Sequence, residues 1–214
     1  MTYSYFLLCA LVSYSVGMIN PAFIIAKLRG FDIRTRGSEN ASGSNAVITM
    51  GKGIGAFCIF FDIFKSFAVC KLAISFMPKN PLFYIDAAIF VTLGHIFPVF
   101  MRFHGGKGFA CLGGFVLAFS PKVFFIMLLG AVAVFAITRY LFMATIYAAL
   151  VYPVVYIVMT HNYWGALLFI VSAIMIIKHI PNMKRVKNGT ELRINFLWNR
   201  NKEFDRVKEN GAEE

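Results

Sequence analysis

The sequence predicts an all-α, polytopic membrane protein of seven transmembrane helices, some of them short, with the N-terminus outside and the C-terminus in the cytoplasm. Three observations predict it. Of 214 residues, 59% are hydrophobic and only 14% charged; apolar runs follow one another along the chain; and the basic residues gather in alternate loops.

A helix crossing a hydrocarbon core about 30 Å thick needs roughly 20 residues, because lipid cannot satisfy bare backbone groups. The runs Tyr3–Ala26, Gly53–Met77, Leu82–Phe100 and Leu141–Thr160 meet that length. Phe109–Ser120, Val123–Thr138 and Tyr163–Ile177 are shorter. A twelve-residue helix covers only about 18 Å, so the short runs are expected to enter part way or to thin the bilayer locally.

Lys and Arg in short loops are retained on the cytoplasmic side. With the N-terminus outside and seven crossings, seventeen of the 21 basic residues fall in inner segments and two, Lys79 and Lys122, in outer loops. Lys65 and Lys71 fall inside a span. No Lys or Arg precedes Lys27, which argues against reading the first run as a cleaved leader. The expected division is a helical membrane domain over residues 1–180 and a basic cytoplasmic tail over 181–214. The net charge of +11 reads as topology plus attraction to anionic lipid headgroups. Nucleic-acid binding is not expected, since the charge is spread over several loops. Cys9, Cys58, Cys70 and Cys111 lie in apolar runs without a C-x-x-C pair and read as small hydrophobes, not disulfides or metal ligands.

Four polar stretches interrupt the apolar pattern: 30–53, 94–108, Arg139-Tyr140 and 179–191. The assigned topology puts all four on one face, as a site for water-soluble charged substrates would require. In the first, Gly37 to Asn45 is a run of short residues entering a helix. Its amides could turn inward around a phosphate, although a solvated Ser/Gly/Asn turn has the same letters. It is not a Walker A loop, because Ala46 stands where the first glycine must be and Gly53 where Ser or Thr must follow Lys52. In the second, Lys107 sits among Gly105, Gly106 and Gly108, a charge that can reach an anion through a closely approaching backbone. His95 reads either as a site residue or as a helix-packing hydrogen bonder. Asp62 and Lys65, three residues apart inside a span, share a face and can pair. Such charges point to the protein interior or a wet cavity.

Together these segments resemble the bacterial acyl-phosphate-dependent glycerol-3-phosphate acyltransferase family. Gly37, Ser38, Asn40, Ser44 and Asn45 match its first motif. Asp62 to Ser66 is similar to D-x-x-K-G. Gly94, His95, Phe97 to Phe100, Phe103 and Gly105 to Gly108 match the second motif, Arg139-Tyr140 opens the third, and His179, Asn182, Arg185, Gly189 and Glu191 match the last. The resemblance implies seven helices in a bacterial cell inner membrane and a site facing the cytoplasm. It implies transfer of an acyl group from acyl phosphate to the sn-1 hydroxyl of glycerol 3-phosphate, with no cofactor and no metal. Ser38, Lys107, His179 and Asn182 would be the catalytic set, and Asn40, Ser44, Asn45, His95, Gly105, Gly106, Gly108 and Arg139 the substrate- and phosphate-binding residues. The partners implied are the two substrates and membrane lipids; oligomeric state is not specified.

The chain departs from the family pattern at several places. Ile48 stands where the family has an arginine, Glu39 and Ser66 replace glycines, Ala41 and Ser42 differ within the first motif, and Phe142 takes the place of a serine. A divergent member that binds lipid or an acidic metabolite with altered or lost catalysis is therefore the second expectation, and a small anion transporter the third.

Overall fold

The computed structural model describes residues 2–197 and 199–212, and every regular element among them is helical. The first apolar run is not one helix. It forms α1 (Thr2–Met18) and α2 (Pro21–Leu28), because Pro21 lacks an N–H and leaves the Gly17 carbonyl without its donor four residues on. Lys65, from a later helix, supplies the replacement: its Nζ lies 3.0 Å from Gly17 O and 2.6 Å from Ile19 O. Asn20 caps α2 by accepting from Phe23 N at 2.9 Å and donates to Ala41 O at 2.9 Å, fixing the break to the first polar loop.

After that loop come α3 (Gly43–Met50) and α4 (Lys52–Phe76), which fold into a tight hairpin. A Cβ on Gly55 would stand 2.1 Å from Val47 Cγ2 and one on Gly43 2.4 Å from Ile59 Cγ1, so the two backbones nearly touch. Helix α5 (Pro81–Ile96) starts on an Asn80 cap with proline in the first turn. It packs on α1 where Gly17 and Gly94 face the opposite backbone; added Cβ atoms would meet Val91 O at 2.2 Å and Tyr14 O at 2.1 Å. Small residues allow this approach, the usual basis of helix association where water provides no driving force.

Helix α6 (Phe109–Phe119) is short and lies on α4, held by Ser66 Oγ donating to Cys111 O at 2.8 Å. Helix α7 (Pro121–Thr138) starts two residues before the expected run, since Ser120 caps it and Pro121 fits its first turn. Its 18 residues reach roughly 27 Å, close to the thickness of the hydrocarbon core. Phe125, Ile126, Leu129, Val132 and Ile137 on α7 are exposed, as on a lipid-facing helix. Then follow α8 (Leu141–Thr160), α9 (Leu168–Ile177), α10 (Ile180–Lys187) and α11 (Arg200–Ala212). Tyr84, on α5, bonds through its hydroxyl to Phe115 O on α6 at 2.8 Å and to Tyr152 OH on α8 at 2.5 Å, tying three helices in the core.

By length and composition, five stretches among the described residues suit a membrane crossing: Tyr3–Leu28, Pro81–Met101, Pro121–Thr138, Leu141–Thr160 and Tyr163–Lys187. Helix α4, with 25 residues, is long enough, but it carries Asp62, Lys65 and Lys71; α6 is apolar but short. All four cysteines are unpaired.

Candidate active site

The first polar loop is held by one side chain. Asn45 is fully buried, and its Nδ2 lies 2.8 to 2.9 Å from the carbonyls of Ile33, Arg36 and Asn40, while its Oδ1 accepts from Ser38 N at 2.9 Å. Gly37 lies directly against that amide, at φ +63°, where an added Cβ would meet Asn45 Oδ1 at 2.2 Å. The loop therefore curls around Asn45 and turns Ser38, Glu39, Asn40 and Ser44 toward a cavity. Arg34 joins this loop to the next by donating to Met101 O at 2.7 Å. Asp32 orients Arg34 at 2.7 Å, and that hydrogen bond holds the Asp32 carboxyl well below the usual carboxylate range.

In the second loop the chain doubles back on the end of α5. Gly105 N donates to Ile96 O and Gly106 N to His95 O, both at 3.0 Å. A Cβ on Gly106 would stand 2.0 Å from His95 Nε2. Gly108, at φ +92°, then starts α6. The fold-back presents Lys107, whose Nζ donates to Asn182 Oδ1 at 2.5 Å. Asn182 Nδ2 in turn donates to Glu191 Oε1 at 2.6 Å, and Glu191 Oε2 pairs with Arg185 Nε at 2.6 Å. Burial, followed by the charge of Arg185, lowers the Lys107 ammonium to about 8. Arg185 Nη2 is buried and has no hydrogen-bond partner among the described residues.

His179, at the start of α10, is buried, and its Nδ1 bonds to Met175 O at 2.7 Å. A carbonyl only accepts, so Nδ1 carries a proton, and in the neutral ring the other nitrogen, Nε2, is the acceptor. The ring stacks on Phe142 with centroids 6.2 Å apart.

These groups line one cavity of about 500 Å³, within the usual range for a small-molecule site. Its polar end is formed by Ser38, Asn40, Ser44, Lys107, His179, Asn182, Arg185 and Glu191. Its apolar end runs between α4, α6, α7 and α8 past Ile63, Leu112, Val116, Phe124, Met127 and Phe142. His95 also borders it, but its Nδ1 is 3.1 Å from Lys65 Nζ and 3.4 Å from Asp62 Oδ1, and Lys65 pairs with Asp62 at 2.6 Å. The expected Asp62–Lys65 pair is thus formed. Asp62, His95 and Cys111 place possible ligand atoms within 4.8 Å of one another; the Lys65 ammonium already occupies the carboxylate there, and a divalent cation would sit against its charge.

Ser38, Asn40, Ser44, His95, Lys107, Gly108, His179 and Asn182 of the expected site come together at this cavity. Four expected residues do not face it. Asn45 spends its amide on the loop, Gly105 and Gly106 shape the turn, and Arg139 is exposed at φ +65° where α7 ends. Arg185 and Glu191, carried by the last motif without an assigned role, prove to be part of the polar network. Phe204 and Val207 of α11 also line the cavity, and neither belongs to a motif in the sequence.

The sequence profile described as glycerol-3-phosphate acyltransferase matches residues 7–189. The chain belongs to the glycerol-3-phosphate acyltransferase family. Among its relatives, the glycerol-3-phosphate acyltransferase of Pseudothermotoga lettingae is 33% identical over 192 residues, covering 90% of this chain and 96% of that one. The enzyme of the same name from Bacillus subtilis is 33% identical over 195 residues, 89% of this chain and 98% of its own. The crystal structure of PlsY, an integral membrane glycerol 3-phosphate acyltransferase, in its glycerol 3-phosphate form superposes with a TM-score of 0.84 at 30% identity, over 90% of this chain and 96% of that chain. Its lysophosphatidic acid form gives 0.79 at 30% identity, over 88% and 94%.

Proposed function

We propose that this protein transfers a fatty acyl group from acyl phosphate to the sn-1 hydroxyl of glycerol 3-phosphate. One observation carries the reading: a single cavity joins a polar end holding Lys107, Arg185, His179 and Asn182 to an apolar end between four helices. The first suits phosphate and glycerol, the second an acyl chain. Membership of the glycerol-3-phosphate acyltransferase family and the glycerol 3-phosphate and lysophosphatidic acid forms of the similar PlsY structure support it.

Acyl phosphate is a mixed anhydride, already activated, so placement and charge neutralisation supply most of what catalysis needs. The sn-1 oxygen attacks the acyl carbon, the bond from that carbon to the phosphate oxygen breaks, and the departing phosphate takes the hydroxyl proton. The products are lysophosphatidic acid and inorganic phosphate. Lys107 and Ser38 hold phosphate oxygens, and the unpartnered Nη2 of Arg185 adds a further donor. His179 Nε2 and Asn182 orient the glycerol hydroxyls. The basic inner loops support seven crossings, counting α4 and the short α6, with the N-terminus outside and the cavity's polar end facing the cytoplasm of a bacterial inner membrane.

Purified protein in detergent, given acyl phosphate and labelled glycerol 3-phosphate, is expected to form labelled lysophosphatidic acid. Absence of product with acyl phosphate, alongside product with another acyl donor, would replace the donor and keep the acceptor. The second reading, a divergent binder without turnover, is favoured by Glu39 and Ile48, both on the cavity wall. Binding of glycerol 3-phosphate with no product from any donor would select it.

A further inference from the structure

Helix α11 (Arg200–Ala212) begins beyond residue 189, where the family profile ends. It nevertheless folds back onto the polar end of the cavity. Glu203, Arg206 and Asn210 lie on one face, at the three- and seven-residue spacing of a helix stripe, and all three grip the turn that carries Glu191. Arg206 donates to Gly189 O at 2.5 Å and to Glu191 O at 2.8 Å. Asn210 Nδ2 donates to Gly189 O at 3.0 Å, and Glu203 Oε1 accepts from Arg193 N at 2.9 Å while pairing with Arg206 at 2.7 Å. Glu203 is 4% exposed despite its charge, the burial expected of a carboxylate committed to partners. Gly189, at φ +71°, leaves room for Asn210 Nδ2, which a Cβ there would approach to 2.7 Å. On the adjoining face, Phe204 and Val207 form part of the cavity wall beside Thr190, Glu191 and Leu192.

We propose that α11 is a cover that closes the polar end of the site against water, with Arg206 as a positioning residue and Phe204 as the wall. Arg206 fixes the backbone of Glu191. The Glu191 carboxylate fixes Asn182, and Asn182 receives Lys107. This rests on the acyl-phosphate reading, for which exclusion of water has a direct chemical meaning. An acyl phosphate attacked by water instead of the acceptor hydroxyl gives fatty acid and phosphate, so an uncovered site divides its donor between two nucleophiles.

The test measures, at saturating glycerol 3-phosphate, the ratio of fatty acid to lysophosphatidic acid formed from acyl phosphate. Phe204→Ala and Arg206→Ala are each expected to raise that ratio by about tenfold, with Arg206→Lys recovering part of the loss. Fatty acid formed by acyl phosphate without protein is subtracted first; the corrected ratio does not depend on how much protein is active, so a variant that folds poorly still reports on closure. Equal ratios in wild type and both alanine variants would overturn the proposal while leaving acyl transfer intact. A second measurement needs no donor. Cysteines introduced singly by Val207→Cys and Asp205→Cys are compared for reaction with a water-soluble maleimide. The cavity-lining position is expected to react about tenfold more slowly than its exposed neighbour, and adding Arg206→Ala is expected to erase most of the difference. Equal labelling with Arg206 in place overturns the cover even if acyl phosphate proves to be the wrong donor.

Discussion

Lys107 Nζ donates to Asn182 Oδ1 at 2.5 Å, joining residues 75 positions apart in the sequence. The lysine comes from a glycine turn at the end of α5, and the asparagine from the first turn of α10. A change at either end, or in Glu191 behind Asn182, alters where the ammonium sits.

Lys107→Ala is expected to lower kcat/KM for glycerol 3-phosphate by about 100-fold or more, as when a preorganised group facing developing charge is lost. The wild-type pH profile provides a second check. Lys107 is lowered to about 8 by burial and by Arg185; it is charged below that value and neutral above it. Anion holding is therefore present below about pH 8 and lost as pH rises through it. The free-enzyme limb of kcat/KM should fall there, well before an unperturbed lysine would titrate.

Gly106→Ala places a Cβ 2.0 Å from His95 Nε2. The imidazole is held between Lys65 and Asp62 and has little room to give way, so the loop must move instead. Overpacking of this kind costs about 1–3 kcal/mol. The expected result is a lower melting temperature in detergent together with loss of acyl transfer, since Lys107 is the next residue. Full activity in this variant would show that the turn is not what places the lysine.

Lys65→Met and Asp62→Asn should not be equivalent. Removing the lysine leaves a buried carboxylate and strips the Gly17 and Ile19 carbonyls of their donor. Removing the aspartate charge leaves Lys65 with both carbonyls. Thermal unfolding is expected to rank Lys65→Met as the more damaging, by about 3–5 kcal/mol against wild type, and equal losses would mean that the ion pair itself dominates.

Glu39→Gly is expected to improve the site. Glu39 has φ +57°, a left-handed conformation that costs an ordinary residue roughly 1–2 kcal/mol and glycine almost nothing. It also places a carboxylate on the wall of a cavity meant for anions. Both stability and affinity for glycerol 3-phosphate should rise, the second read as a lower KM with kcat little changed. A higher KM would indicate that Glu39 contacts the glycerol part.

The helical succession and the convergence of polar loops were legible in the sequence because hydropathy and charge are one-dimensional signals. The break at Asn20-Pro21 was hidden inside an unbroken apolar run: its compensation comes from Lys65, a residue in another helix. Asn45 read as a binder because an amide that holds three carbonyls carries the same letter as one that holds phosphate; only the fold of the loop separates them. Helix α7 read as too short because its first turn is capped by Ser120 and Pro121, residues without apolar weight. Residues 200–212 gave a charge pattern with no membrane signal, and their contact with the cavity depends on a backward turn at Gly189 that composition does not encode.

The ammonium of Lys65 that completes the broken first crossing has a consequence for biogenesis. Until α4 arrives, a newly inserted N-terminal segment would expose an unsatisfied carbonyl to hydrocarbon, at a cost of several kcal/mol. The first crossing reaches its mature form only in company with the next, which makes the opening third of the polypeptide a cooperative unit of membrane insertion.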